Sequence, residues 1–252
     1  MPFLALAALF ILTALVYAMA GFGGGSTYTA LLVLAETDYR ILPAISLACN
    51  ITVVAGSTIR FAQAGLIDWH RMVPLCAASI PLAWLGGMID VPERVFISLL
   101  GFALLASALA LVFRQPRIVK TPRAFPRWSQ PAIGGGLGFL AGLVGIGGGI
   151  FLAPLLHLLR WGAAKQIAAA AAFFILVNSI AGLAGQAQRL SGSADFSQLL
   201  SYWPLLIAVL IGGQIGVWIG RDKLADVWLI RITAVLVFLV ALRLLWRAMT
   251  GS

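Results

Sequence analysis

Charge is scarce in this chain. Only 10% of its 252 residues are Asp, Glu, Lys or Arg, against 62% hydrophobic residues and a mean hydropathy of +1.02. So little polar surface cannot coat a water-soluble globule of this length, which excludes a soluble domain. Acidic groups are the scarcest, and Glu36, Asp38, Asp68, Asp90, Glu93, Asp195, Asp222 and Asp226 all fall at the ends of apolar runs or between them. A buried carboxylate proton relay inside a crossing is therefore excluded. The two histidines, His70 and His157, stand about ninety residues apart, and the two cysteines, Cys49 and Cys76, each lie inside an apolar stretch. Neither supports a disulfide, a metal site, a cofactor or the clustered nucleophile and base of an enzyme.

Apolar length is what the chain has in abundance. Stretches near full span run from Phe3 to Met19, Ala44 to Ile59, Met72 to Ile89, Val95 to Phe113, Ile167 to Gly185, Tyr202 to Gly220 and Val227 to Leu245. Each approaches the roughly 20 residues that cross about 30 Å of hydrocarbon. With two glycine-broken segments they predict an all-α polytopic membrane protein of about eight membrane elements. The first stretch resembles a signal h-region, but it lacks a basic n-region, and we expect it to be retained. The net charge of +9 does not mark a nucleic-acid partner: Arg114, Arg117, Lys120, Arg123 and Arg127 crowd one loop without an acid. The positive-inside rule places that loop in the cytoplasm.

The chain is duplicated. Gly23-Gly24-Gly25 maps onto Gly147-Gly148-Gly149 at an offset of 124, Asn50 onto Asn178 at 128, Gly65-x-x-Asp68-Trp69 onto Gly192-x-x-Asp195-Phe196 at 127, and Pro74-Leu75 onto Pro204-Leu205 at 130. Four landmarks in one order divide the chain into a first transmembrane repeat at 1–113, a basic linker at 114–130 and a second repeat at 131–252.

From Pro131 to Leu159 there are 29 residues, about 44 Å as one helix, too long to cross untilted. Broken at Gly145 to Gly149, the segment becomes a re-entrant hairpin, and each repeat then holds one hairpin and three crossings, so the halves are inverted. Charge agrees: this arrangement puts 12 of the 17 Lys and Arg in the cytoplasm, and spanning glycine segments would put 10 there.

Glycine inside a helix costs about 1 kcal/mol relative to Ala, so two triplets cost roughly 6 kcal/mol as ordinary helix. Such a penalty implies a use. Backbone without Cβ can take positive φ and approach a ligand, and a break frees N–H groups that lipid cannot satisfy. Arms beginning near Ser26 and Ile150 would aim helix N-termini at the break, which favours an anion. The candidate substrate-binding residues are Gly23, Gly24, Gly25, Ser26, Thr27, Asn50, Arg60, Gly147, Gly148, Gly149, Ile150 and Asn178. Each has a plainer role beside it. The triplets could serve close helix packing, which suffices for Gly134-Gly135-Gly136-x-Gly138, Gly86-Gly87 and Gly212-Gly213. Ser26, Thr27 and Thr29 could only cap the second arm, Asn50 and Asn178 could bond between helices, and Arg60 could snorkel to the interface. Gln63, Gln186 and Gln188 either line an entrance or are solvated at the interface.

Gly145-Ile146-Gly147-Gly148-Gly149-Ile150-Phe151-Leu152-Ala153-Pro154 resembles the signature of the sulfite exporter TauE/SafE family of membrane permeases, and Gly21-Phe22-Gly23-Gly24-Gly25 resembles its companion in the other half. The Gly-x-x-Asp-Trp/Phe element is similar too, and the resemblance covers nearly the whole chain. It departs at Ala30, where the second repeat has Pro154. The resemblance implies transport of sulfite, thiosulfate, sulfoacetate or other small organosulfonates across the bacterial inner membrane. The expected function is thus secondary transport of a small sulfur anion, with the lipid bilayer as the other partner. A passive anion channel could be lined by the same donors, and an intramembrane enzyme lacks a constellation.

Overall fold

The structure, a computed structural model, describes residues 2–19, 21–112, 129–159, 161–191, 194–219 and 227–250. Most of the basic linker read from the sequence, through residue 128, lies outside them. The described chain is helical: α1 (Phe3–Met19), α2 (Gly25–Leu34), α3 (Leu42–Gln63), α4 (Trp69–Met88), α5 (Glu93–Val112), α6 (Ser129–Val144), α7 (Gly149–Leu158), α8 (Ala164–Leu190), α9 (Ala194–Leu200), α10 (Trp203–Ile219) and α11 (Val227–Thr250). Every apolar stretch of the sequence coincides with one of these helices. Leu42–Gln63, Trp69–Met88, Lys165–Leu190 and Asp195–Ile219 are long and apolar enough to cross a membrane. A chain of this composition that satisfies its backbone in helices is a multi-pass membrane protein.

Local chemistry sets the boundaries. Gly65 takes φ +65°, its N–H bonds Ala62 O at 3.0 Å, and Leu66 N–H reaches back to Phe61 O at 3.0 Å. This is a Schellman ending for α3. Three residues later Asp68 caps α4, accepting from Arg71 N–H at 3.3 Å. The Gly-x-x-Asp element is thus a stop and a start for two helices.

Packing between helices runs on small residues. Gly134, Gly138 and Gly142 stand four apart on α6, and a Cβ on each would strike the backbone of Leu75, Ser79 and Ala83 of α4. Gly212 and Gly216 of α10 meet Ile11 and Leu15 of α1 in the same manner, and Gly185 of α8 meets Trp84 of α4. These are backbone-to-backbone approaches that only glycine permits. Gly136 by contrast faces open space. Both residue series ascend together, so α4 runs parallel to α6 and α1 parallel to α10. α5 and α11 run antiparallel: Gly101 packs on Leu245, and Arg94 Nε donates to Ala248 O at 3.1 Å.

Candidate functional site

Both glycine segments break their helices. α1 ends in a Schellman motif, with Phe22 N–H on Tyr17 O at 2.9 Å, Gly21 N–H on Ala18 O at 3.1 Å and Gly21 at φ +79°. α2 then starts from Gly24 at φ +85°, whose carbonyl accepts from Thr27 N–H and Tyr28 N–H at 2.9 and 3.0 Å. In the second half Gly145, φ +81°, bonds Ala141 O at 3.0 Å and closes α6. Gly148, φ +74°, opens α7 by accepting from Phe151 and Leu152. A side chain at any of these left-handed positions costs about 1–2 kcal/mol in backbone strain.

After the first break the chain turns back on itself. Gly24 faces Thr13 and Tyr17 of α1, Tyr17 Oη and Thr27 Oγ1 are 3.0 Å apart, and the Tyr28 ring stacks on Phe10 with centroids 4.8 Å apart. Gly148 likewise faces Ala141 and Leu137 of α6. The first arm pair is therefore a hairpin. The first N–H groups of a helix have no intrahelical acceptor, and among the described residues none meets the amides of Gly25, Ser26, Gly149 or Ile150.

The two breaks touch. A Cβ on Gly25 would stand 2.7 Å from Ile146 O, and one on Gly23 or Gly25 would collide with the Asn50 amide. One on Gly147 would stand 2.9 Å from Asn50 Nδ2. Asn50 is fully buried, and among the described residues neither its Oδ1 nor its Nδ2 has a hydrogen-bond partner. An orphaned buried polar group costs about 1–3 kcal/mol, so its presence between two sets of free amides calls for a ligand or a rearrangement. The hydroxyls of Thr29 and Ser46 both reach Gly25 O, at 2.8 and 3.1 Å, and hold that peptide in place.

The other residues singled out by sequence divide. Ser26 is buried with an unpartnered Oγ, and Thr27 is buried against Tyr17. Ile150 is half-buried in the first turn of α7. Asn178 is buried, spends its Nδ2 on Phe174 O of its own helix at 2.8 Å and leaves Oδ1 unpartnered. It is not the spatial counterpart of Asn50. Besides Asn50, the side chains that face Gly147 are Ile175 and Ser179, each 3.0 Å from where a Cβ there would stand, as Asn50 and Val54 face Gly23. Arg60 is exposed in the last turn of α3, outside this enclosed cluster.

Sequence reasoning missed Tyr17 and Ser179, as well as Ser57 and Thr58, buried hydroxyls of α3 without partners among the described residues. Aligning α3 to α8 at the offset of 125 seen in the fold, close to the 124 of the triplets, would have found Ser179.

A family model described as Sulfite exporter TauE/SafE matches residues 6–244. Probable membrane transporter protein y4hK of Sinorhizobium fredii (strain NBRC 101917 / NGR234) is 36% identical over 245 residues, which cover 96% of this chain and 97% of that relative. No solved structure matches the chain.

Proposed function

This chain belongs to the sulfite exporter TauE/SafE family and is a membrane transporter, and we propose that its cargo is a small sulfur oxyanion, sulfite or an organosulfonate, exported across the bacterial inner membrane. The observation that carries this reading is the buried, unpartnered amide of Asn50 between two glycine breaks. An oxyanion in that gap takes N–H donors from Gly25, Ser26, Gly149 and Ile150, an Nδ2 donor from Asn50, and hydroxyls from Ser26 and Thr27. Gly23, Gly24, Gly147 and Gly148 keep side chains out of the way. Asn178 contributes from α8, and Arg60 attracts anions at the end of α3. Main-chain amides and helix N-termini suit an anion without a metal.

Two inverted repeats, 1–113 and 131–252, supply the motion. A hairpin and three crossings make an odd number, so the second half enters from the opposite face. In this reading α5 corresponds to α11, and the two are antiparallel; α1 corresponds to α6 and α4 to α10. The cross-packing of α1 on α10 and of α6 on α4 then fastens each hairpin to the other half. Rocking one half against the other moves both breaks relative to Asn50 and exposes the gap to alternate faces. With no carboxylate inside a crossing, the anion moves by facilitated diffusion or brings its own proton.

Flux in proteoliposomes tests the reading against sulfite, sulfate, thiosulfate, taurine, sulfoacetate and a cation control. Saturable flux with counterflow of a sulfur anion is expected. No flux of any sulfur anion overturns the substrate assignment, and non-saturable flux without counterflow indicates a channel.

A further inference from the structure

A second charged feature lies where α4 and α8 end and α5 begins. Tyr39, Arg40, Pro43, Asp90, Gln186 and Arg189 wall an open recess whose enclosed space is about 10 Å³, room for about one water, so an oxyanion enters it by moving the exposed Asp90 side chain. The Arg189 side chain is only 13% exposed, yet its one carboxylate contact is a single 3.5 Å approach to Asp90, which is itself 75% exposed. Its Nε is buried and has no partner among the described residues. The remaining donors are committed to neutral acceptors, Arg40 O at 2.5 Å and Gln186 Oε1 at 2.7 Å. A buried guanidinium so poorly compensated is costly, and its plane is locked by those two bonds with a donor edge to spare.

The recess is coupled to the glycine break. Gln186 Nε2 donates to Gly142 O at 3.0 Å, in the last turn of α6 before Gly145. Gly145 itself packs on Pro43, a wall of the recess. Asn50 lies seven residues further along α3 from Pro43, about 10 Å by helical rise.

Resting on the transport reading above, we propose that this recess is a second anion site at the mouth of the path, where Arg189 exchanges its contact with Asp90 for the oxyanion of the cargo. Asp90 is the internal competitor that the anion displaces, and Arg40 adds a second cation at the rim. An anion held there is two helical turns from the central gap, and the Gln186 bond links its arrival to the end of α6. The site selects for oxyanions over cations because its strongest uncompensated group is a guanidinium, whose fork matches planar or tetrahedral oxyanions.

The test is binding of radiolabelled sulfite and thiosulfate to the purified full chain in detergent, with liposome flux measured in parallel. Arg189→Gln should weaken binding by about tenfold, the loss expected for one charged hydrogen bond. Arg189→Lys should weaken it less, and Asp90→Asn should tighten it by about threefold by removing the competitor. The Arg189-dependent component should persist in an Asn50→Leu protein, which separates the recess from the central gap. Equal affinities across these proteins, or no binding to the wild type, overturn the proposal. Arg189-dependent binding without flux leaves the recess standing and removes the transport reading; normal flux untouched by either substitution removes the recess. If Arg189→Gln does not fold, Asp90→Asn decides alone, because its side chain is exposed.

Discussion

The backbone of Gly25 lies against the carbonyl of Ile146, so close that a Cβ on the glycine would stand 2.7 Å from that oxygen. One residue from the first break thus touches one from the second, though 121 positions of sequence separate them.

Gly25→Ala places a methyl group against both Ile146 O and the Asn50 amide. Overpacking of this kind costs about 1–3 kcal/mol, and flux should fall to background. Gly136→Ala is the matched control, since that glycine has nothing within 4 Å and gains up to about 1 kcal/mol of helix propensity. Thermal unfolding in detergent and flux, measured on both, check the pair. Equal behaviour would show that the break has slack.

Gly24→Leu and Gly148→Leu act through the backbone. Their φ angles of +85° and +74° are strained for any side chain, by about 1–2 kcal/mol each. Both proteins should insert into the membrane and transport nothing. Full flux in both would refute the assignment of the breaks as the site.

Asn50→Leu separates a ligand contact from a structural one. Removing a buried amide that bonds to nothing should leave stability unchanged or raise it by about 1 kcal/mol, while flux is lost. A residue kept for architecture would behave the opposite way. A melting temperature several degrees lower, with flux retained, is the contrary result.

Topology has its own readout. If the hairpins are re-entrant, Asp90 and Gln188 lie on one face of the membrane and Gln63 on the other; a spanning second glycine segment would put Gln188 on the face of Gln63. The native Cys49 and Cys76 are buried, so single cysteines introduced at those three positions report against a quiet background. An impermeant maleimide applied to intact cells should label the first two and spare the third. A Gln188→Cys protein spared together with Gln63→Cys would contradict inverted repeats.

Arg60 is exposed, so its effect should be one of attraction at a distance. Arg60→Gln should raise KM by at most about threefold at low salt, and the difference should vanish as salt shortens the Debye length. A loss of kcat that salt does not alter would place Arg60 inside the site instead.

Much of this architecture is legible in the residues. The apolar stretches match the helices because the bilayer length requirement leaves few alternatives. The breaks match the glycine runs because left-handed backbone is cheap only without a Cβ. Gly65 and Asp68 read as a stop and a cap for the same local reasons. Packing glycines such as Gly138 and Gly142 announce close helix contact, but the partner helix is not written beside them. Nor is the recess at Arg189, whose walls come from segments as distant as Tyr39 and Gln186.

Composition and local stereochemistry, acting through nearest neighbours along the chain, determined that this is a helical membrane protein interrupted at two glycine runs. The tertiary structure alone decided which side chains face the interruptions: Asn50 at both, joined by Ile175 and Ser179 at the second. Pairing Asn50 with Asn178 slips α8 by three residues relative to Ile175, and at about 100° per residue that slip turns a side chain some 60° around its helix. A sequence repeat read to within a few positions is enough to place helices, but a binding face is specified by their rotation, which only packing against the neighbouring helices sets.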